Sequence, residues 1–288
     1  MNQITKAYLL CFLLACGTCL GQPVPAESPA FSEEKAPAYA YQRVKTKKER
    51  EKFLNTYSDV QQNVIYRLNR IDSGSLYRLD TLVIPVPSDS AFQMHSPFPE
   101  QLLWARELGK LVIFSYRIQA FGAYNHGRLV RWGPTSIGRR TRLTPLGLYS
   151  ANWKEAVHVS SIDPDWNMPY TVNLELNSGI AMHQYAMPGK PASHKCMRLQ
   201  MADAMWLFNW VDLPLSQHKG TRGAFGTPVV VFGKYNFKRK GPWHRLPKNP
   251  KATHHTSSAL EVELSPYLAI IKERQLQRQQ QLLNPLDK

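Results

Sequence analysis

Cys196 is the residue in this chain best placed for covalent chemistry. It lies in Ser193-His194-Lys195-Cys196-Met197-Arg198-Leu199, and His183 stands upstream in the run Ile180-Ala181-Met182-His183-Gln184-Tyr185. A thiol with an ordinary pKa of about 8.5 is mostly protonated at neutral pH, so a cysteine that attacks a carbonyl needs help to lose its proton. An imidazole can take that proton and later return it to a leaving amine, because its own pKa lies near neutrality. Leu199 to Val211 carries Met201, Met205, Leu207, Phe208 and Val211 at helical spacing, which predicts a helix directly after the cysteine. That would put Cys196 just before or at a helix N-terminus, where the dipole and unpaired amides favour a thiolate. Arg198 adds positive charge nearby. Taken singly, His183 reads as a core histidine, His194 as a loop residue and Cys196 as a small buried apolar side chain. His183, His194 and Cys196 could instead be three zinc ligands, but no fourth stands at a suitable spacing.

The elements that must position these residues are mostly strands. Leu111 to Asn125 alternates apolar and polar residues, bends at Gly122 and reaches a turn at Asn125-His126-Gly127, from which Arg128 to Trp132 returns as the second strand of a hairpin. Leu146 to Trp153, Val157 to Ile162, Tyr170 to Leu176 and Gly226 to Phe232 read as further short strands. Many short strands around one helix imply a β-rich domain of about 125 residues with a few helices.

The joint pattern resembles the bacterial L,D-transpeptidase family. Its signature is a histidine-bearing strand, a loop, and then Ser-His-Gly-Cys followed by an aliphatic residue and Arg or Asn. Val130 to Leu148 matches the family's strand, Ser-x-Gly (Ser136-Ile137-Gly138) and Thr-Pro-x-Gly (Thr144-Pro145-Leu146-Gly147), and Gly226-Thr227-Pro228-Val229 matches its closing strand. The order of histidine before cysteine is opposite to that of papain-like proteases. The resemblance covers about Lys110 to Gly233 and implies a β-sandwich-like catalytic domain. It implies that Cys196 is the nucleophile and His183 its base, with Ser193, His194 and Arg198 shaping the pocket and its loop and the Lys195 and Cys196 amides serving as the oxyanion site. It also implies peptidoglycan stem peptides as substrate, and no metal or organic cofactor. Two positions depart from the family: Lys195 replaces a glycine and Gln184 replaces a small residue. The same fold could instead hydrolyse the same bond as an L,D-carboxypeptidase, or serve as a non-catalytic envelope-binding protein.

The remaining sequence sets the context. The 288 residues include 36 Lys+Arg against 21 Asp+Glu, a formal net charge of +15, and 43% apolar residues. This excludes a wholly disordered chain, a collagen and a polytopic membrane protein. Residues 1–21 read as an export signal, with Lys6 before the apolar core Ala7 to Ala15. Leu13-Leu14-Ala15-Cys16 fits a lipoprotein signal lipidated at Cys16, the competing reading being ordinary cleavage after Gly21. Either way the expected location is the periplasm or cell envelope. Residues 22–45 read as a linker rich in Pro, Ala, Ser and Glu. Residues 46–88 read as a small helical region whose close (LDTLVIP) resembles the second half of a LysM glycan-binding module. Residues 108–233 form the expected catalytic domain, and 234–288 a basic tail ending in a helix over Leu264 to Leu283. Nine Lys and Arg and no acid lie between Leu213 and Leu260. In an exported protein that charge suits an anionic envelope surface rather than nucleic acid, with membrane contact only through the N-terminal lipid.

Overall fold

Two adjoining valine- and leucine-rich strands with apolar side chains on both faces need cover on both sides, and the structure supplies it. The computed structural model describes residues 37–88, 91–160, 165–177, 179–215 and 224–283; the expected export signal, Cys16 and residues 22–36 of the expected linker lie outside them. In chain order the elements are β1 (Ala38–Arg43), α1 (Lys47–Thr56), α2 (Asp59–Leu68), β2 (Thr81–Val86), β3 (Lys110–Ser115), β4 (Ala120–Asn125), β5 (Arg128–Pro134), β6 (Gly147–Ser150), β7 (Trp153–Val159), β8 (Asn167–Glu175), β9 (Ile180–Gln184), β10 (Met197–Leu199), α3 (Met201–Trp210), β11 (Pro228–Phe232) and α4 (Ser257–Leu283). Strands β5-β4-β3-β11-β6 form a five-stranded sheet, and β10-β9-β8-β7 a four-stranded one.

The two-residue period sorts side chains between two cores. Val112, Phe114, Val229 and Val231 pack inward with Val172, Met182, Met197 and Leu199 of the smaller sheet and Ala204 and Leu207 of α3. Leu111, Ile113, Val230 and Phe232 point outward and are covered by Leu260, Leu264 and Ile271 of α4. Each such side chain contributes about 1.5–3 kcal/mol when fully buried, so both layers are needed to hold the central strands. The β-rich architecture is the one the sequence implied.

Four local expectations are corrected. The run Leu111 to Asn125 is not one strand bent at Gly122. It folds back at residues 116–119, with Gln119 at a φ of 48°, and Gly122 sits mid-strand opposite Ile113. The turn at Asn125-His126-Gly127 is as expected, with His126 and Gly127 both at positive φ. The expected linker contains β1, which pairs antiparallel with β2 along its full length. Residues 234–283 are not an appended tail: Trp243 is fully buried, and α4 starts at Ser257 rather than Leu264. The Gln275 side chain bonds both the Gly109 amide (2.8 Å) and the Lys110 carbonyl (3.0 Å), fixing α4 on the start of β3.

Helices α1 and α2 each begin with a capping box, Thr46 with Glu49 and Ser58 with Gln61. With β1 and β2 they enclose a small core of Val44, Phe53, Ile65, Ile71 and Leu82. Val60 of α2 stays 59% exposed. This βααβ layer is joined to the sheets by buried charge. Arg67 bonds Asp203 of α3 at 3.0 Å, Arg131 of β5 meets the same carboxylate at 2.8 Å, and Asp203 has no exposed surface. Arg70 is buried, donates to the Ile118 and Leu68 carbonyls and lies over the Trp243 ring; burial lowers its pKa to about 9.

Candidate active site

His183 and Cys196 arrive on neighbouring strands. β9 and β10 pair in parallel with Met182 opposite Met197 and His183 opposite Arg198. Paired residues project from the same face, and so do residues two apart on one strand. Cys196, one step before β10, therefore shares a face with Arg198 and His183. The thiol donates toward the Gly179 carbonyl at 3.6 Å, and the Ala181 backbone contributes a hydrogen bond that lowers its pKa.

The imidazole is oriented by backbone. His183 is 4% exposed, and its Nδ1–H donates to the Gln184 carbonyl at 2.9 Å. That bond fixes the tautomer and leaves Nε2 with the lone pair a general base requires. Gln184 thus supports the base through its main chain, which any side chain at that position would permit.

The ionisation state differs from the sequence-based expectation. Burial, with smaller effects from Arg198 and His158, lowers the His183 pKa to about 4. Burial pushes the Cys196 thiol up, outweighing the opposing Ala181 bond and Arg198 charge. Both shifts favour the neutral forms, thiol and imidazole, over a preformed ion pair. The helix-dipole argument fails for a related reason. Met197 to Leu199 stays extended to pair with β9, and α3 begins at Met201 behind an N-cap at Gln200, so Cys196 does not occupy the helix N-terminus.

The loop before the sulfur is held by the two upstream motifs. Ser136 and Arg198 exchange backbone hydrogen bonds at 3.1 Å each way, the Ser193 amide donates to the Ile137 carbonyl, and the Arg139 amide donates to the Ser193 carbonyl. Gly138 is required sterically: a Cβ there would lie 2.4 Å from both the Arg142 carbonyl oxygen and the Thr144 nitrogen. Its amide donates to Thr144 Oγ1 at 3.1 Å, and Thr144 Oγ1 donates to the Lys195 carbonyl at 2.6 Å. Tyr116 caps the Gly138 carbonyl, and Ser193 Oγ donates to the Cys196 carbonyl.

Lys195 occupies the position where the resemblance predicts glycine, at a φ of +89°. This is left-handed backbone that a residue with a Cβ adopts at a cost of about 1–3 kcal/mol. The surrounding hydrogen bonds hold lysine in a backbone conformation that favours glycine.

The thiol opens on a cavity of about 440 Å³ lined by Cys196, His183, His194, Arg142, Arg198 and Trp166, among others. The His194 ring lies 5.0 Å from Trp166, and its pKa is lowered by partial burial and by Arg139, Arg198 and Arg142. Arg198 sits over the Tyr185 ring at 4.6 Å and donates to the Ala186 carbonyl. Among the described residues no Asp or Glu lines this cavity, so the field of its lining favours an anionic ligand. All five side chains expected at the site (His183, Ser193, His194, Cys196 and Arg198), together with Lys195, line it. Sequence reasoning gave no role to Tyr116, Thr144, Trp166 or His158. The Thr-Pro-x-Gly motif was the available signal for Thr144; the others have none. Among the described residues no three His, Cys, Asp or Glu side chains are grouped to hold a metal ion.

The fold and site together define a class of protein. Residues 110–231 match the family model of the YkuD L,D-transpeptidase catalytic domain. Among solved structures the chain is similar to an L,D-transpeptidase from Stackebrandtia nassauensis, at 23% identity over 44% of this chain and 57% of that one, with a TM-score of 0.36. It is also similar to L,D-transpeptidase 1 of Mycobacterium tuberculosis, at 23% identity over 44% of this chain and 63% of that one, with a TM-score of 0.34. The chain thus spans less than two thirds of the length of either. No curated protein matches the sequence.

Proposed function

We propose that this protein is a peptidoglycan L,D-transpeptidase. The reading is supported above all by His183 and Cys196 on one sheet face, lining one cation-rich cavity, within a segment that matches that family's catalytic-domain model. In the first half-reaction, Nε2 of His183 takes the thiol proton as the sulfur attacks the carbonyl of the third residue of a stem tetrapeptide. The same proton passes to the departing D-amino acid, leaving a thioester on Cys196. The Lys195 and Cys196 amides would bind the oxyanion, a contribution of about 3–4 kcal/mol per donor in a well-built site. Ser193 holds the loop, while His194 and Arg198 meet the substrate. An amine of a second stem peptide then resolves the thioester into a 3→3 cross-link. Water in that role would give a carboxypeptidase.

Export to the cell envelope follows from this role and from the reading of residues 1–21, with Cys16 as the site of any lipid anchor. Among the described residues no helix is long and apolar enough to cross a membrane. The βααβ layer of residues 38–86 would bind glycan, as the LysM resemblance implies, and the basic surface would hold the enzyme on an anionic envelope. Purified protein mixed with tetrapeptide muropeptides should yield cross-linked dimers by mass spectrometry. Cys196→Ala should abolish them, and undiminished dimers from that variant would overturn the assignment.

A further inference from the structure

Besides His183 and His194 the cavity holds a third imidazole, one that the first half-reaction does not use. His158 of β7 lines the same cavity as Cys196 and His183. Its Nδ1 lies 2.6 Å from Oε2 of Glu155, three residues earlier on the same strand, and its ring packs against Trp153 at 5.1 Å between centroids. A carboxylate at that distance fixes Nδ1 as the protonated nitrogen and leaves Nε2 as an acceptor. The imidazole is thus held at one nitrogen and has, among the described residues, no partner at the other, the arrangement a general base needs.

The chemistry of the second half-reaction supplies a reason for it. The acceptor arrives as a primary ammonium, which has no lone pair and cannot attack. Two protons must leave its nitrogen in all, one before attack and one as the amide forms. His183 can manage only the second, since it must hand that proton to the departing sulfur. The charges around the cavity agree with this division. Arg142, Lys195 and Arg198 repel an ammonium, whereas Glu155 places the nearby negative charge behind His158.

We propose that His158, held by Glu155, is the catalytic base that converts the acceptor ammonium to an amine, an inference that rests on the transpeptidase reading. His158 Nε2 takes one proton from the ammonium, and Glu155 stabilises the resulting imidazolium. The free amine attacks the thioester carbonyl and the C–S bond breaks. His183 carries the second proton from nitrogen to sulfur, and His158 releases its proton to solvent. Glu155 is a positioning residue that acts through the imidazole.

The test uses the full chain, the tetrapeptide as donor and as acceptor, and hydroxylamine as a competing acceptor. Hydroxylamine is already unprotonated at neutral pH, so it needs no such base. His158→Gln should lower the ratio of cross-linked dimer to hydroxamate by about 10²-fold, the lower end of what a general base contributes. Glu155→Gln keeps an acceptor for Nδ1 but removes the charge, and should lower the ratio by less. Damage to the fold or the cavity would depress both products together, so an unchanged ratio in both variants overturns the inference while leaving the transpeptidase reading intact. Absence of both products from the wild-type protein overturns that reading, and the inference with it.

Discussion

Thr144→Val tests how the reactive loop is held. The substitution keeps the shape of the side chain and deletes one hydroxyl. That hydroxyl donates to the Lys195 carbonyl at 2.6 Å and accepts from the Gly138 amide at 3.1 Å, at a residue only 2% exposed. Leaving a buried polar group without a partner costs about 1–3 kcal/mol, and two groups lose theirs, so a destabilisation of about 2–6 kcal/mol is expected. Part of it is recoverable. The Lys195 conformation stores about 1–3 kcal/mol of strain that the Thr144 bond opposes, and without that bond the loop relaxes and carries the adjacent sulfur with it. Acylation by a thiol-reactive carbapenem, followed by intact-protein mass spectrometry, should slow markedly in Thr144→Val. Lys195→Gly accepts the same backbone at no steric cost, so Thr144→Val should slow acylation far less in that background. Urea unfolding of the four proteins gives the stability side of the cycle. If Thr144→Val slows acylation by the same factor with lysine or glycine at 195, the strain argument is wrong; if its urea midpoint is unchanged, so is the hydrogen-bond argument.

Three further outcomes are expected. Because burial holds the His183 pKa at about 4, carbapenem acylation should fall with acid only around that value, and a limb near 6.5 would show the imidazole to be solvated. His183, His244 and His255 are held neutral by burial, with pKa values lowered to about 4, 4 and 3. The unfolded chain binds more protons than the native state below pH of about 6.5, so the urea midpoint should drop as pH falls from 6.5 toward 4, and a midpoint flat over that range would contradict these burials. Asp203→Ala strands Arg67 in the interior and should cost about 3–5 kcal/mol, readable as a loss of thermal stability; a change below 1 kcal/mol would mean that Arg67 finds other partners.

The grouping of the candidate site residues was more legible in the sequence than the architecture that supports it. His183 and Cys196 could be paired because a periodic strand and a motif bracket them, and the NHG turn announced itself by residue type. The turn at Tyr116-Arg117-Ile118-Gln119 could not, since it contains no Gly or Pro and depends on Gln119 accepting a positive φ. β10 is three residues long, too short for any periodicity, yet it moves Cys196 away from the helix. β1 follows Pro37 in an Ala- and Pro-rich stretch, and only its pairing with β2 makes it a strand. α4 shows the core Leu260, Leu264 and Ile271, with Tyr267 and Leu268 packed beside them, and the part rich in Gln and Arg reads as an amphipathic tail until the sheet beneath it is known. The charge state of the thiol depends on burial, a property of the assembled site rather than of the seven residues around it.

The bond between Arg67 and Asp203 has a practical corollary. The segment shared with the family, 110–231, would not stand as an autonomous piece in this protein: excision at its borders removes the guanidinium from one side and the covering helix from the other. An expression product meant to retain the active centre should begin before Ala38 and run through Leu283, and loss of solubility on trimming would report missing scaffolding rather than a defect in the reacting groups.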